Sequence, residues 1–308
     1  ADADESIETP KNQWGDTSLQ NDPRMRNGSM IVLEAGGKHG YDSRSRTFDP
    51  SLSASFPLRI EPNRSLISTV SNATVPVRNF AHEIMWASEK KCGNVLKAAA
   101  VLTVLKEPAP PDAFRPPYAG TDKPLYRASD LRWELLQELA APTVDPSSYA
   151  PGYGLRLPAD WEKMERYFRR PWLEHMCNWT QQQLNSNENQ PNYGREHGRL
   201  VSMAGLMLHL DVPKERKEKL LTGLVQYGID VSGVAKVGGS WNWGGGHTSG
   251  RKWPVLFAGL MLDAPELYDL PPTAVFHEDA QTYYGTGWCG QTALYWMVRH
   301  HGRRERYE

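Results

Sequence analysis

The chain has 308 residues, 39% hydrophobic and 23% charged, a balance that excludes an intrinsically disordered protein. Its 35 basic and 36 acidic residues leave a net charge of −1, so no global field favours nucleic acid or an anionic membrane surface. No apolar run approaches the ~20 residues of a membrane span. Cys92, Cys177 and Cys289 form no CxxC pair and no spaced ligand set, so no zinc site is expected. No cofactor is expected either. For a structural Ca²⁺ only loop carboxylates such as Asp42, Asp49 or Asp279 are on offer, without an EF-hand loop.

The chain begins ADADESIETP, which reads as an end left after removal of a leader, so a secreted or periplasmic protein is expected. Residues 1–108 hold short apolar or alternating runs, SMIVLEA, SFPLRIEP, SLISTVS and AAAVLTVL, separated by Pro, Gly, Asn and Ser. That pattern predicts a small β-sandwich-like module. Six prolines between 106 and 124 predict an extended connector lying across a surface, assigned to 109–128.

Residues 129–308 read as helical, with six or seven helices. ASDLRWELLQELA opens with Ser129 and Asp130 as N-caps. ADWEKMERYFRRPWLEHMCNWTQQQLN reads as two helical pieces meeting at Pro171. YGREHGRLVSMAGLMLHL and PKERKEKLLTGLVQYGIDVSGV carry apolar faces, and SGRKWPVLFAGLMLD and WCGQTALYWMVRHHGRR follow. The absence of βαβ units disfavours a doubly wound sheet. The class predicted is mainly α: a complete or incomplete α/α toroid of helical hairpins behind the β-module.

Tryptophan and tyrosine, 11 and 13 against 7 phenylalanines, suggest half-wet aromatic surfaces such as a sugar-binding cleft. GGSWNWGGGHTSGRKWP, residues 238–254, concentrates three tryptophans and six glycines. The glycines mimic a phosphate loop, but Gly-Arg-Lys stands where Gly-Lys-Ser/Thr is required. Thr248 or Ser249 is expected to cap the next helix, leaving His247 beside its N-terminus, where a neutral, basic imidazole is favoured. Arg251 in that first turn gains nothing from the dipole. A guanidinium fork for a carboxylate would explain it, with Trp241 and Trp243 as sugar-stacking faces.

NQPNYGREHGRL, residues 189–200, crowds Asn192 and Arg195 at a helix start, a place of spare N–H donors for an anion. A capped, solvated helix start explains the same residues equally well. HEDAQTYYGTGWCG, residues 277–290, sets Tyr283 and Tyr284 in a loop feeding a helix; a phenol is a proton donor, and a base beside a cation. RHHGRRERYE at the end adds Arg299 and Tyr307, although such a run usually just solvates a helix end.

Asn, His, Tyr and Arg without a carboxylate pair suit β-elimination on a uronic acid polymer. Donors on the sugar carboxylate stabilise the enolate, and a His or Tyr takes the proton. Hydrolysis needs two carboxyl groups. Glu196, Asp230, Glu278 and Asp279 are the candidates, none in a convincing acid setting.

On NYGREHGR, WNWGGGHTSGRKWP and YYGTGWCG, residues 115–308 resemble the α/α-toroid polysaccharide lyases, the group with alginate and glucuronan lyases. The resemblance implies an acidic polysaccharide as substrate. It implies Asn192, His247 and Tyr284 or Tyr307 as catalytic residues, with Arg195, Arg251 and Arg299 in the subsites. A glycoside hydrolase on a helical toroid and a non-catalytic carbohydrate-binding protein are the alternatives.

Overall fold

The computed structural model describes residues 6–7, 25–31, 40, 49–71, 96–140, 161–174, 189–191, 194–241, 248–284 and 293–295. The fold is mainly helical. Three strands, β2 (Met25–Ile31), β4 (Arg64–Ser71) and β5 (Leu96–Val104), form an antiparallel sheet in the order β2-β4-β5. A two-residue pairing joins β1 (Ser6–Ile7) to β3 (Leu58–Arg59).

Alternation along the strands sends side chains to two faces. Ile67 and Val101, register partners, are buried in the main core with Ala99. Leu66 and Val104 turn the other way and close a smaller cluster with Ala54 and Ile60. Both faces of the sheet are therefore covered.

The proline-rich segment does more than cross a surface. Phe114, Tyr118 and Ala119 are buried in the main core, and Lys123 Nζ donates to the carbonyls of Pro117, Tyr118 and Ala119. The helix expected over 128–140 is absent. Two 3₁₀ turns, Ala128–Asp130 and Trp133–Leu135, stand there instead. The donors of this stretch are taken by distant partners: Ala128 N–H by the Asp112 carbonyl, Arg132 N–H by Met261 O and Leu139 N–H by His209 O. Tertiary partners override helix propensity there.

Helix α1 (Trp161–Phe168) buries Met164, Tyr167 and Phe168 on one face and ends just before Arg169-Arg170-Pro171, because a residue preceding proline avoids the α region. Helix α2 (Gly194–Leu208) is followed by α3 (Lys214–Lys236), the centre of the helical part. The first half of α3 is amphipathic. From Leu224 to Ala235 nearly every side is buried, as befits a helix enclosed by neighbours. It packs against α1, α2 and α4 (Lys252–Met261).

Pro254 sits in the first turn of α4, where no intrahelical N–H bond is lost. Its carbonyl faces Gly228 of α3 so closely that a Cβ there would stand 2.1 Å away. The expected caps fail: Arg251 is the N-cap of α4 and makes no side-chain capping bond, while the Thr248 hydroxyl donates to Trp241 O. The loop-then-helix expected from Tyr283 onward is corrected too. After the short α5 (His277–Gln281), β6 (Thr282–Tyr284) pairs antiparallel with β7 (Ala293–Tyr295). Glycines at 285, 287 and 290 disfavour a helix. Among the described residues no helix is long and apolar enough to cross a membrane.

Candidate functional site

The three chemistry-bearing stretches lie far apart in sequence, and their described flanks meet. Around Asn192, the Gln190 side chain bonds both the N–H and the carbonyl of Leu173 at 2.9 Å, and Asn189 donates to Tyr167 O. His197 Nε2 donates to Pro191 O at 2.6 Å, so backbone on either side of Asn192 is pinned. Around His247, Thr248 Oγ1 donates to Trp241 O at 2.7 Å and ties the two ends of residues 242–247.

The stretches are also bonded to one another. Gly250 adopts a left-handed φ of +89°, and a Cβ there would stand 2.4 Å from Gly198 N; only glycine fits this approach. The N–H of Gly250 donates to Glu278 Oε1 at 2.6 Å. Trp241 N–H donates to Val275 O, and its ring stacks on Phe276 at 5.1 Å between centroids.

Beneath this junction lies one buried carboxylate, Glu174, whose side chain is 4% exposed. Trp241 Nε1–H donates to its Oε2 at 3.1 Å, the Tyr227 hydroxyl to Oε1 at 3.2 Å, and Arg251 Nε lies 3.3 Å from Oε1. The Glu174 N–H donates to the Tyr118 hydroxyl. Trp172 packs edge-on against His197 and tilted against Tyr227, at 4.8 and 4.6 Å.

Electrostatics follow from burial. Burial, with Arg251 nearby, holds His197 well below the ordinary histidine range, so its imidazole is neutral. Burial and then Glu174 push the Tyr227 phenol up. Burial works against the charge of Arg251, but Glu174, Tyr227 and Glu278 together more than offset it and raise its pKa. The node is buried, and its carboxylate is bonded by three side chains that hold the adjoining segments in place.

A second ion pair, its carboxylate buried, involves Asp230 of α3, one turn beyond Tyr227. Arg115 grips Asp230 with both terminal nitrogens, and Tyr118 N–H donates to the same carboxylate. Burial raises the Asp230 pKa, against the pull of Arg115.

Of the expected substrate-binding residues, Trp241 and Arg251 are both buried. Trp241 has a face covered by Phe276, and Arg251 has found its carboxylate within the chain. Both are thus engaged within the chain. Arg195 lies in the first turn of α2 and Tyr284 in β6. Asn192, Trp243, His247, Arg299 and Tyr307 lie outside the described residues, as do all three cysteines.

The four hydrolytic candidates are now distinguishable. Glu196 pairs with Arg199 at 2.9 Å, Asp230 with Arg115 and Asp279 with Lys252. Glu278 binds only backbone through Oε1, and its buried Oε2 has no hydrogen-bond partner among the described residues. Sequence reasoning passed over Glu174. The one available signal was Arg251, a cation at a helix start where the dipole gives it nothing. Compared with known protein families, with curated proteins and with solved structures, the chain finds no match.

Proposed function

We propose that the chain is a polysaccharide lyase that cleaves a uronic-acid-containing polymer, of the alginate or glucuronan type, by β-elimination. One observation supports this best: the flanks of 189–198, 241–251 and 277–284 are joined at Gly250 and tied down over Glu174. Catalysis by Asn, His and Tyr from three stretches requires that convergence.

In this reading Asn192, with Arg195 or Arg299, neutralises the uronate carboxylate. His247 or a tyrosine, Tyr284 or Tyr307, takes the proton beside it. The C–H electrons form the new double bond as the glycosidic oxygen leaves, and a tyrosine protonates that oxygen. The scaffold implied is a ring of helical hairpins, and the setting is outside the cytoplasm.

Ultraviolet absorbance during incubation with alginate, glucuronan, pectate and glycosaminoglycans tests the reading, because elimination creates a conjugated double bond and hydrolysis does not. The expected result is a rising signal on one polymer, lowered about 10²–10⁴-fold by His247→Ala.

Glu278 favours a second reading. Its Oε2 is buried without a hydrogen-bond partner among the described residues; of the four candidates it is the one with no ion pair among those residues, and it would be the acid of a glycoside hydrolase. New reducing ends without absorbance, lost in Glu278→Gln, would move the assignment there.

A further inference from the structure

Two adjoining hollows line the side of the helical part where α1 ends against α3. The inner cavity, of about 180 Å³, is walled by Arg115, Arg169, Arg170, Trp172, Tyr227 and Asp230. The outer groove, of about 850 Å³, shares Phe168, Arg169, Gly223 and Gln226 with it. It adds Arg166, Arg216 and Lys219, interleaved with Glu162, Glu165 and Glu218.

The pairing within this trough is uneven. Asp230 is taken by Arg115 and Glu165 by Arg216. Arg169 and Lys219 are exposed, and no carboxylate pairs with either among the described residues. Arg169 lines both hollows, at their junction. A guanidinium at a concave junction, with no carboxylate on it among the described residues, suits an incoming carboxylate, which its planar fork matches with two hydrogen bonds.

The neighbouring acids decide what carries that carboxylate. Exposed Glu162 and Glu218 would repel a nucleic acid backbone or an anionic membrane, whose charge is dense and continuous. They accept hydrogen bonds from hydroxyls. A ligand that alternates carboxylates with hydroxyls satisfies both kinds of group, and an acidic oligosaccharide is such a ligand. The trough also shares Tyr227 with the Glu174 node beneath the assembled stretches.

We propose that this trough is a binding subsite for an acidic oligosaccharide, with Arg169 binding a sugar carboxylate and Lys219 supporting it along the groove. The substrate class rests on the lyase reading above, while the site rests on the trough itself.

The test is calorimetric titration of the full chain with hexauronates prepared from alginate, glucuronan and pectate, with cellohexaose as the neutral control. One hexauronate should bind, and cellohexaose much more weakly. Arg169→Gln should weaken binding about tenfold, the loss of one charged hydrogen bond, and Arg169→Glu more. Lys219→Gln should act in the same direction, less strongly. Both positions are exposed, and unchanged thermal unfolding confirms intact variants.

Unchanged affinity in Arg169→Glu, equal binding of cellohexaose, or no hexauronate binding would overturn the subsite. The two proposals fail separately. Arg169-dependent binding without elimination would sink the lyase and keep the trough. Elimination with an unaltered KM in Arg169→Glu would sink the trough and keep the lyase.

Discussion

The Glu174 and Asp230 sites are both buried carboxylate–arginine pairs touching the same central helix, yet they are built differently. Asp230 is held by one arginine through two bonds, with one backbone N–H added. Glu174 is shared among Trp241, Tyr227 and Arg251 at 3.1–3.4 Å. The first is a clamp between two elements, the connector and α3. The second is a hub on which the flanks of separate loops depend. A buried pair is weak evidence of net stability. The informative difference is how many segments lose their place when the carboxylate goes.

The largest expected effect is therefore Glu174→Ala, which leaves Arg251 buried without its counter-charge and should cost about 3–5 kcal/mol in urea unfolding. The milder pair sharpens the contrast. Glu174→Gln should lower turnover of the proposed reaction by up to about 10²-fold through misplaced loops, whereas Asp230→Asn, at the wall of the trough, should lower it less. Equal loss of turnover in both variants would erase the distinction between hub and clamp.

Gly250→Ala attacks the junction above the hub. It forces a left-handed φ and drives a Cβ into Gly198 N, so a loss of about 2–3 kcal/mol is expected by thermal unfolding. An unchanged midpoint would show that the stretches are not locked there.

Two smaller effects are read from pH. His197, against the hub, is held well below 6.5, its unfolded value, by burial and then Arg251. As pH falls below 6.5 the unfolded chain gains a proton that the folded chain refuses, so stability declines, by at most about 1.4 kcal/mol per pH unit for this group. His197→Asn should flatten that slope. Lys123, near the clamp, is lowered by burial and then Arg115 to about 8, against 10.5 unfolded. Between those values the unfolded chain holds more protons. Raising the pH there should stabilise the wild type relative to Lys123→Met, and a difference that is flat with pH would contradict it.

Much of the framework was legible because its causes are local. The alternation in SLISTVS and AAAVLTVL predicted strands that do pair, as β4 with β5. The apolar faces read over 193–210 and 213–234 correspond to α2 and α3, and Pro171 marked the end of α1 closely. Readings failed where distant partners took the backbone donors, as at Ala128 and Arg132, or where a cap depended on a neighbour, as when Thr248 turned to Trp241.

The site divides the same way. By itself the sequence determined which residue types gather in three stretches, and that Arg251 stands where the helix dipole gives a cation nothing, because helix dipoles and side-chain chemistry act over a few residues. Only the tertiary structure decided that Arg251 pairs with Glu174 and that Gly250 meets Gly198. It alone left Glu278 without an ion pair among the described residues while its three rivals were paired. Those outcomes depend on burial and on the approach of segments tens of residues apart, where an unpaired charge or an added Cβ is too costly to keep.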